Sequence, residues 1–189
     1  RFLELDVSIP PAHRKGRISN GFARPDPRKD FTIAARDDLA TRADFLDRLG
    51  SEVAGNPADE RDVILYVHGY NNSFFDGVYR TAQIAHDFDL PGVAVHYAWP
   101  SAANPLGYTY DRDSVLFARD GLERLLRALA RRTDGQIVVV GHSLGTMLLM
   151  ETLRQIDIAT PGWSRAELGG AVLISPDLDI DLFKEQADR

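Results

Sequence analysis

The spacing of apolar and polar positions changes period repeatedly along this chain, and each change marks an element. Leu3, Leu5, Val7 and Ile9 alternate with polar neighbours and stop at Pro10-Pro11, which predicts a half-exposed strand near a sheet edge. A Gly-, Pro- and charge-rich stretch follows from Ala12 to Lys29, with Asn20-Gly21 as a turn signal, and Phe31 to Ala35 reads as a second short strand. Asp37 or Asp38 is placed to cap a helix that ends near Leu49, and Gly50 to Arg61 reads as a polar loop around Gly55-Asn56-Pro57. Asp62 to His68 is apolar without alternation from Val63 to Val67, as in a strand covered on both faces. Ser73 and Asp76 have capping-box spacing before a helix with Phe74, Val78, Ala82, Ala85 and Phe88 on its apolar face, and Pro91-Gly92 ends it.

The second half repeats the pattern. Val93 to Ala98 is a strand, and Asp111 to Arg131 is a long amphipathic helix with Val115, Leu122, Leu125, Leu126 and Leu129 on one face. Asp134-Gly135 turns the chain into the strand Ile137 to Val140, after which Thr146 to Ile156 is helical, Ala171 to Ser175 is a strand, and Asp179 to Ala187 is helical. Apolar strands alternating with helices imply βαβ units, hence an α/β, three-layer α/β/α sandwich with a mostly parallel sheet. In such sheets ligands bind beyond the carboxyl ends of the strands. His68, Trp99, Ser143 and Asp177 each follow a strand end, so they are expected to line one rim.

Composition narrows the function classes. A chain of 189 residues that is 44% hydrophobic suits one domain. The net charge of −6 and a pI of about 5.3, with Lys and Arg interspersed among acids, argue against a nucleic-acid surface. There is no cysteine, so disulfides and thiolate chemistry are excluded. Apolar runs are strand-sized and no signal peptide is present, so membrane association would have to come from a segment outside these residues, and localisation stays open. No metal-ligand spacing and no phosphate-binding loop is found, and the expectation is neither cofactor nor metal.

The chemistry concentrates at Gly141-His142-Ser143-Leu144-Gly145, between a β-branched strand and a helix. A G-x-S-x-G turn in that setting strains its serine and presents the hydroxyl at the sheet's edge, which makes Ser143 a nucleophile candidate rather than a capping serine in a Gly-rich turn. Acyl transfer also needs N–H donors where the oxyanion develops. Leu144 at the helix start supplies one, and Tyr70, after His68-Gly69, is the expected second, with Asn71 as accessory; the bland reading of that loop is a turn before a capped helix. His142 is expected to turn its ring away from the hydroxyl and pack behind it, and Trp99, Tyr97, Tyr108 and Tyr110 read as packing more than as an acyl-side wall. Asn71-Asn72-Ser73 matches a glycosylation sequon but reads as a turn and helix cap.

His68-Gly69-Tyr70-Asn71, Trp99-Pro100-Ser101, Gly141-His142-Ser143-Leu144-Gly145 and Ser175-Pro176-Asp177-Leu178-Asp179 together resemble, in order and spacing, a bacterial branch of the α/β-hydrolase superfamily known as domain of unknown function 900. The resemblance extends over nearly the whole chain and implies an esterase- or lipase-like serine hydrolase acting on a small-molecule or lipid ester. Many such proteins look exported or lipid-anchored. In the superfamily the triad runs Ser, acid, His, with the His after the final strand. Here the histidines are His13, His68, His86, His96 and His142, so none follows the serine motif. The base is therefore expected outside residues 1–189, which read as the N-terminal two-thirds to three-quarters of one hydrolase domain lacking its last strands and, beyond the strand near Ser175, its lid. His68 as base would be unusual. Asp177 is the candidate acid, with capping of the last helix by Asp177 or Asp179 as the competing role. A thioesterase or acyltransferase would use the same parts, and a non-catalytic binding module is the rival from another class.

Overall fold

The computed structural model describes residues 1–21 and 24–187. Strands β1 (Phe2–Ser8) and β2 (Thr32–Leu39) pair only with each other, antiparallel, with a bulge between Asp6 and Val7. The alternation in Leu3 to Ile9 is thus that of a two-stranded ribbon and not, as the pattern predicted, of an edge in the main sheet. β2 also runs beyond Ala35, because Arg36, Asp37 and Asp38 pair with Leu5, Glu4 and Leu3 of β1 and stand exposed to water. Neither aspartate caps the helix. That role belongs to Thr41, whose side chain accepts the Asp44 amide at 3.1 Å while Asp44 accepts the Thr41 amide at 2.9 Å. The helix so opened, α1 (Arg42–Gly55), continues through Gly50 because Leu46, Leu49 and Val53 all reach the core while the polar residues between them face solvent.

The main sheet holds β3 (Val63–Val67), β4 (Val93–Tyr97), β5 (Ile137–His142) and β6 (Leu168–Ile174), all parallel, in the order β4-β3-β5-β6. Every residue of β3 is buried, as its unbroken apolar run requires of a central strand. Crossovers are made by α2 (Phe74–Asp87), α3 (Tyr108–Leu129) and α4 (Leu144–Ala159) with the short α5 (Trp163–Glu167), and α6 (Ile180–Ala187) follows β6. Val63, Leu65 and Val67 face one way, into a core shared with α1, α3 and α4. Ile64 and Tyr66 face the other way, with Val140 and with Ile84 of α2, which completes the three-layer α/β arrangement. No helix among the described residues is long and apolar enough to cross a membrane.

Val115, Leu122, Leu126 and Leu129 of α3 are fully buried, as their spacing predicts, whereas Leu125 of the same predicted face is only partly buried. The predicted stripe of α2 is corrected: only Val78 of that set is buried, and Phe74 and Phe88 are exposed. The helix instead presents Gly77, Val78 and Thr81 inward, and a Cβ on Gly77 would collide with the ring of His96, so the glycine creates a socket that the apolar pattern does not show. β6 starts three residues before Ala171, because Gly169-Gly170 breaks the apolar signal while the pairing with β5 steps over Gly169 in a bulge and continues.

Candidate active site

Ser143 has φ 49° and ψ −126°, a region that costs a non-glycine residue about 1–3 kcal/mol. The surroundings hold it there. Its N–H donates to Ile174 O at 2.9 Å, and its carbonyl accepts the Thr146 amide at 2.9 Å, the Thr146 hydroxyl at 2.6 Å and the Asp177 amide at 3.3 Å. The side chain makes no capping bond to α4. Gly145 is sterically required, since a Cβ there would strike the carbonyls of His68 and Val67, the latter at 2.6 Å, and a Cβ on Gly141 would press on Thr146 Cα at 3.0 Å. α4 therefore starts directly against the end of β3, which brings the serine turn beside the loop that leaves β3.

That loop leans on the serine. A Cβ on Gly69 would be 2.9 Å from Ser143 Cβ and 2.7 Å from His142 Nδ1. Tyr70 follows, its hydroxyl donating to Pro105 O at 2.5 Å, and Asn71 takes a left-handed φ of 53°. Leu144, first in α4, has no intrahelical acceptor for its amide. Among the described residues the Tyr70 and Leu144 amides find no protein acceptor.

His68 and Trp99 lie under this rim instead of lining it, being 1% and 4% exposed. Their rings stack at 4.8 Å and 5°. His68 Nδ1 lies 3.0 Å from Gly69 O, and Nε2 lies 3.0 Å from Trp99 O and 3.1 Å from the Trp99 amide nitrogen, while Trp99 Nε1–H donates to His68 O at 2.7 Å. Burial lowers the His68 pKa against the pull of those bonds, so the ring is neutral, and with both nitrogens occupied it braces two loops.

A residue that the sequence pattern left as an ordinary helix position completes the brace. Asp111, in the first turn of α3, is fully buried and accepts the Ser101 hydroxyl at 2.6 Å, the Ala102 amide at 2.6 Å and the Asn71 amide at 3.4 Å. It ties the loop after β4 to the loop after β3. Nothing local announces it, because its donors lie ten and forty residues away.

The two candidate acids separate cleanly. Asp179 caps α6, accepting the amides of Asp181 at 2.9 Å and Leu182 at 3.1 Å. Asp177 places its backbone on the Ser143 carbonyl and its carboxylate under the Tyr108 hydroxyl, which donates at 2.9 Å. Burial and that carboxylate together raise the Tyr108 pKa. Tyr108 stands edge-on to Tyr70 at 5.4 Å on the open rim, whereas Tyr97 packs beneath α3 with its hydroxyl donating to Ala118 O at 2.8 Å. Ser73 caps α2 as a box with Asp76.

None of the five imidazoles bonds Ser143 among the described residues. His142 packs its Nδ1, sealed and unpartnered, against Gly69, and burial followed by nearby Arg80 lowers its pKa. His96 is wedged against Gly77 with both nitrogens sealed and unpartnered. His13 and His86 gather around Asp87 at the far end of α2, a grouping of potential metal ligands that no spacing along the sequence signals.

A family model described as alpha/beta hydrolase of unknown function (DUF900) matches residues 44–189. The chain belongs to this family. Searches of curated proteins and of solved structures return no match. The alpha/beta hydrolase match starts inside α1 and takes in the whole parallel sheet, the strained serine turn and the loops braced by Asp111, while the β1–β2 ribbon lies ahead of it.

Proposed function

We propose that this alpha/beta hydrolase cleaves carboxylic esters, of small molecules or lipids, through an acyl-enzyme on Ser143. The observation that carries the reading is the backbone of Ser143: a φ of 49° in a non-glycine residue, over-determined by hydrogen bonds from both sides, is strain maintained where a hydroxyl is displayed. The Ser143 oxygen attacks the carbonyl. Its electrons move onto the carbonyl oxygen, which the amides of Leu144 and Tyr70 receive, with Asn71 as accessory and the α4 N-terminus adding partial positive charge. The tetrahedral oxyanion then collapses, breaking the bond to the leaving oxygen, which takes up the proton removed from Ser143 and departs as the alcohol, and water afterwards removes the acyl group as the acid and restores the Ser143 hydroxyl.

The hydroxyl proton needs an acceptor of matched pKa. His68 is locked between loops, His96 has both nitrogens sealed, His142 has Nδ1 sealed against Gly69, and His13 and His86 lie with Asp87 at the far end of α2, so this reading assigns the base to a histidine outside residues 1–189, oriented by Asp177. This chain by itself therefore reacts slowly, through the oxyanion donors and binding contacts alone. The same lack of a base at Ser143 is what favours the second reading, a non-catalytic binding module.

Fluorophosphonate labelling of this chain, with and without added imidazole as a substitute base, distinguishes the two. The enzyme reading expects labelling at Ser143 that imidazole accelerates and that Ser143→Ala abolishes. No labelling under either condition, in protein that melts cooperatively, refutes it in favour of the module.

A further inference from the structure

The far end of α2 carries a cluster that the hydrolase reading does not use. His13, on the loop after β1, and His86 and Asp87, at the close of α2, each bring one potential ligand atom within 4.8 Å of the others. His13 Nε2 is 2.5 Å from Asp87 Oδ1, and His86 Nδ1 is 3.3 Å from the same oxygen. Two imidazole nitrogens, 73 residues apart in sequence, thus converge on one carboxylate oxygen.

The other carboxylate oxygen is already committed. Asp87 Oδ2 accepts the Gly16 amide at 2.6 Å and the Gln83 side-chain amide. Such outer partners orient a ligating carboxylate and leave its free oxygen aimed at the metal. The His13 and Asp87 side chains are 7% and 4% exposed, whereas that of His86 is half exposed, its ring edge-on to His13 at 5.3 Å. The His13 ring is held edge-on by Phe31 at 5.3 Å. A tetrahedral zinc ion with bonds of about 2.0–2.1 Å separates its donors by about 3.3 Å. The His86–Asp87 pair is already at that spacing, and the His13–Asp87 contact needs to open by less than about 1 Å to match it.

We propose that His13, His86 and Asp87 form a binding site for a divalent transition-metal ion of the zinc class, with water in the fourth position on the exposed side. Two imidazoles and one carboxylate suit zinc, nickel or copper, and disfavour magnesium and calcium, which take all-oxygen shells. The ion pins the loop after β1 to the end of α2. Because α2 starts at the serine rim and its 14 residues span about 21 Å, the metal supports the scaffold from the opposite edge of the sheet and takes no part in acyl transfer.

The test is a thermal melt of tag-free protein with Zn²⁺ or Mg²⁺, beside a Zn²⁺ titration against a chromophoric chelator. Binding of one equivalent of Zn²⁺, with Tm raised by about 5 °C at a hundredfold excess over Kd and no response to Mg²⁺, is the expected result. His86→Gln, at the exposed ligand, keeps the metal-free Tm and loses the Zn²⁺ shift, and Asp87→Asn loses it too. An absent Zn²⁺ shift in the wild type, or one undiminished in His86→Gln, overturns the site. Neither readout depends on Ser143.

Discussion

His96 provides the most quantitative test of the packing. Its ring occupies the socket above Gly77, beside Tyr66, His68 and Phe74, and although part of the residue remains accessible, both nitrogens are sealed without partners. Burial, reinforced by neighbouring His68, pushes its pKa from 6.5 down to about 3. At neutral pH the ring is uncharged in both the folded and unfolded states. As pH falls through about 6.5 the unfolded chain takes up a proton that the folded state refuses until near pH 3, so stability declines on acidification across that window. Between about pH 7.5 and 5.5 the loss from this one group is about 1.4 kcal/mol, and a gap of roughly 3.5 units bounds it at about 5 kcal/mol. His68 and His142 are lowered by burial as well and act in the same direction, so the wild-type slope alone does not isolate His96. Urea unfolding of wild type and His96→Leu at about pH 7.5 and 5.5 does. The variant loses about 1.4 kcal/mol less than the wild type over that interval, and at the upper pH it is at least as stable, because methyl groups replace two unpartnered polar atoms. Parallel pH dependence in the two proteins, with equal m values, would mean that the His96 nitrogens are solvated, and would refute the reasoning.

Strain at Ser143 predicts that Ser143→Gly is more stable in urea than Ser143→Ala by about 1–2 kcal/mol, since only glycine accepts that backbone without penalty; equal stabilities would remove the strain argument. Gly145→Ala drives a methyl into the Val67 and His68 carbonyls, and is expected to cost about 3 kcal/mol and to suppress fluorophosphonate labelling by displacing α4; undiminished labelling contradicts it. Asp111→Asn leaves buried donors without an anionic acceptor, lowering stability by about 2–3 kcal/mol, with faster amide hydrogen exchange at 69–72 and 99–103 as the specific sign. Thr41→Ala destabilises by about 1 kcal/mol in chemical unfolding while Asp37→Ala has little effect, because only Thr41 caps α1.

Where structure follows from local chemistry, the amino-acid order was sufficient. The unbroken apolar run of β3, the 3.6-residue spacing of Val115, Leu122, Leu126 and Leu129, the Ser73–Asp76 box and the glycines around Ser143 each state a local constraint, and each element formed where that constraint placed it. The misread positions were those at which a neighbour from elsewhere in the chain set the outcome. Asp37 and Asp38 look like caps because acids near a helix start usually are, but pairing with β1 draws them into a strand and passes the cap to Thr41. Phe74 and Phe88 look like core because they are large and correctly spaced, but the socket at Gly77 rotates the buried face of α2 toward smaller residues.

The same division runs through the candidate site. The strained serine was legible because its causes are contiguous: a β-branched strand, two residues without side chains, and a helix start. What tertiary structure alone decided was the supporting set. Asp111 joins loops across forty residues, His68 and Trp99 sink beneath the rim they were expected to line, Asp179 caps a helix and leaves Asp177 beside Tyr108, and His13 meets His86 and Asp87. The physical reason is one of range. Backbone strain, capping and amphipathic spacing act within about one or two helical turns, so one stretch of sequence encodes them. A buried carboxylate or imidazole takes its charge state and role from whichever donors the fold brings within hydrogen-bonding reach, and those donors have no fixed spacing along the chain.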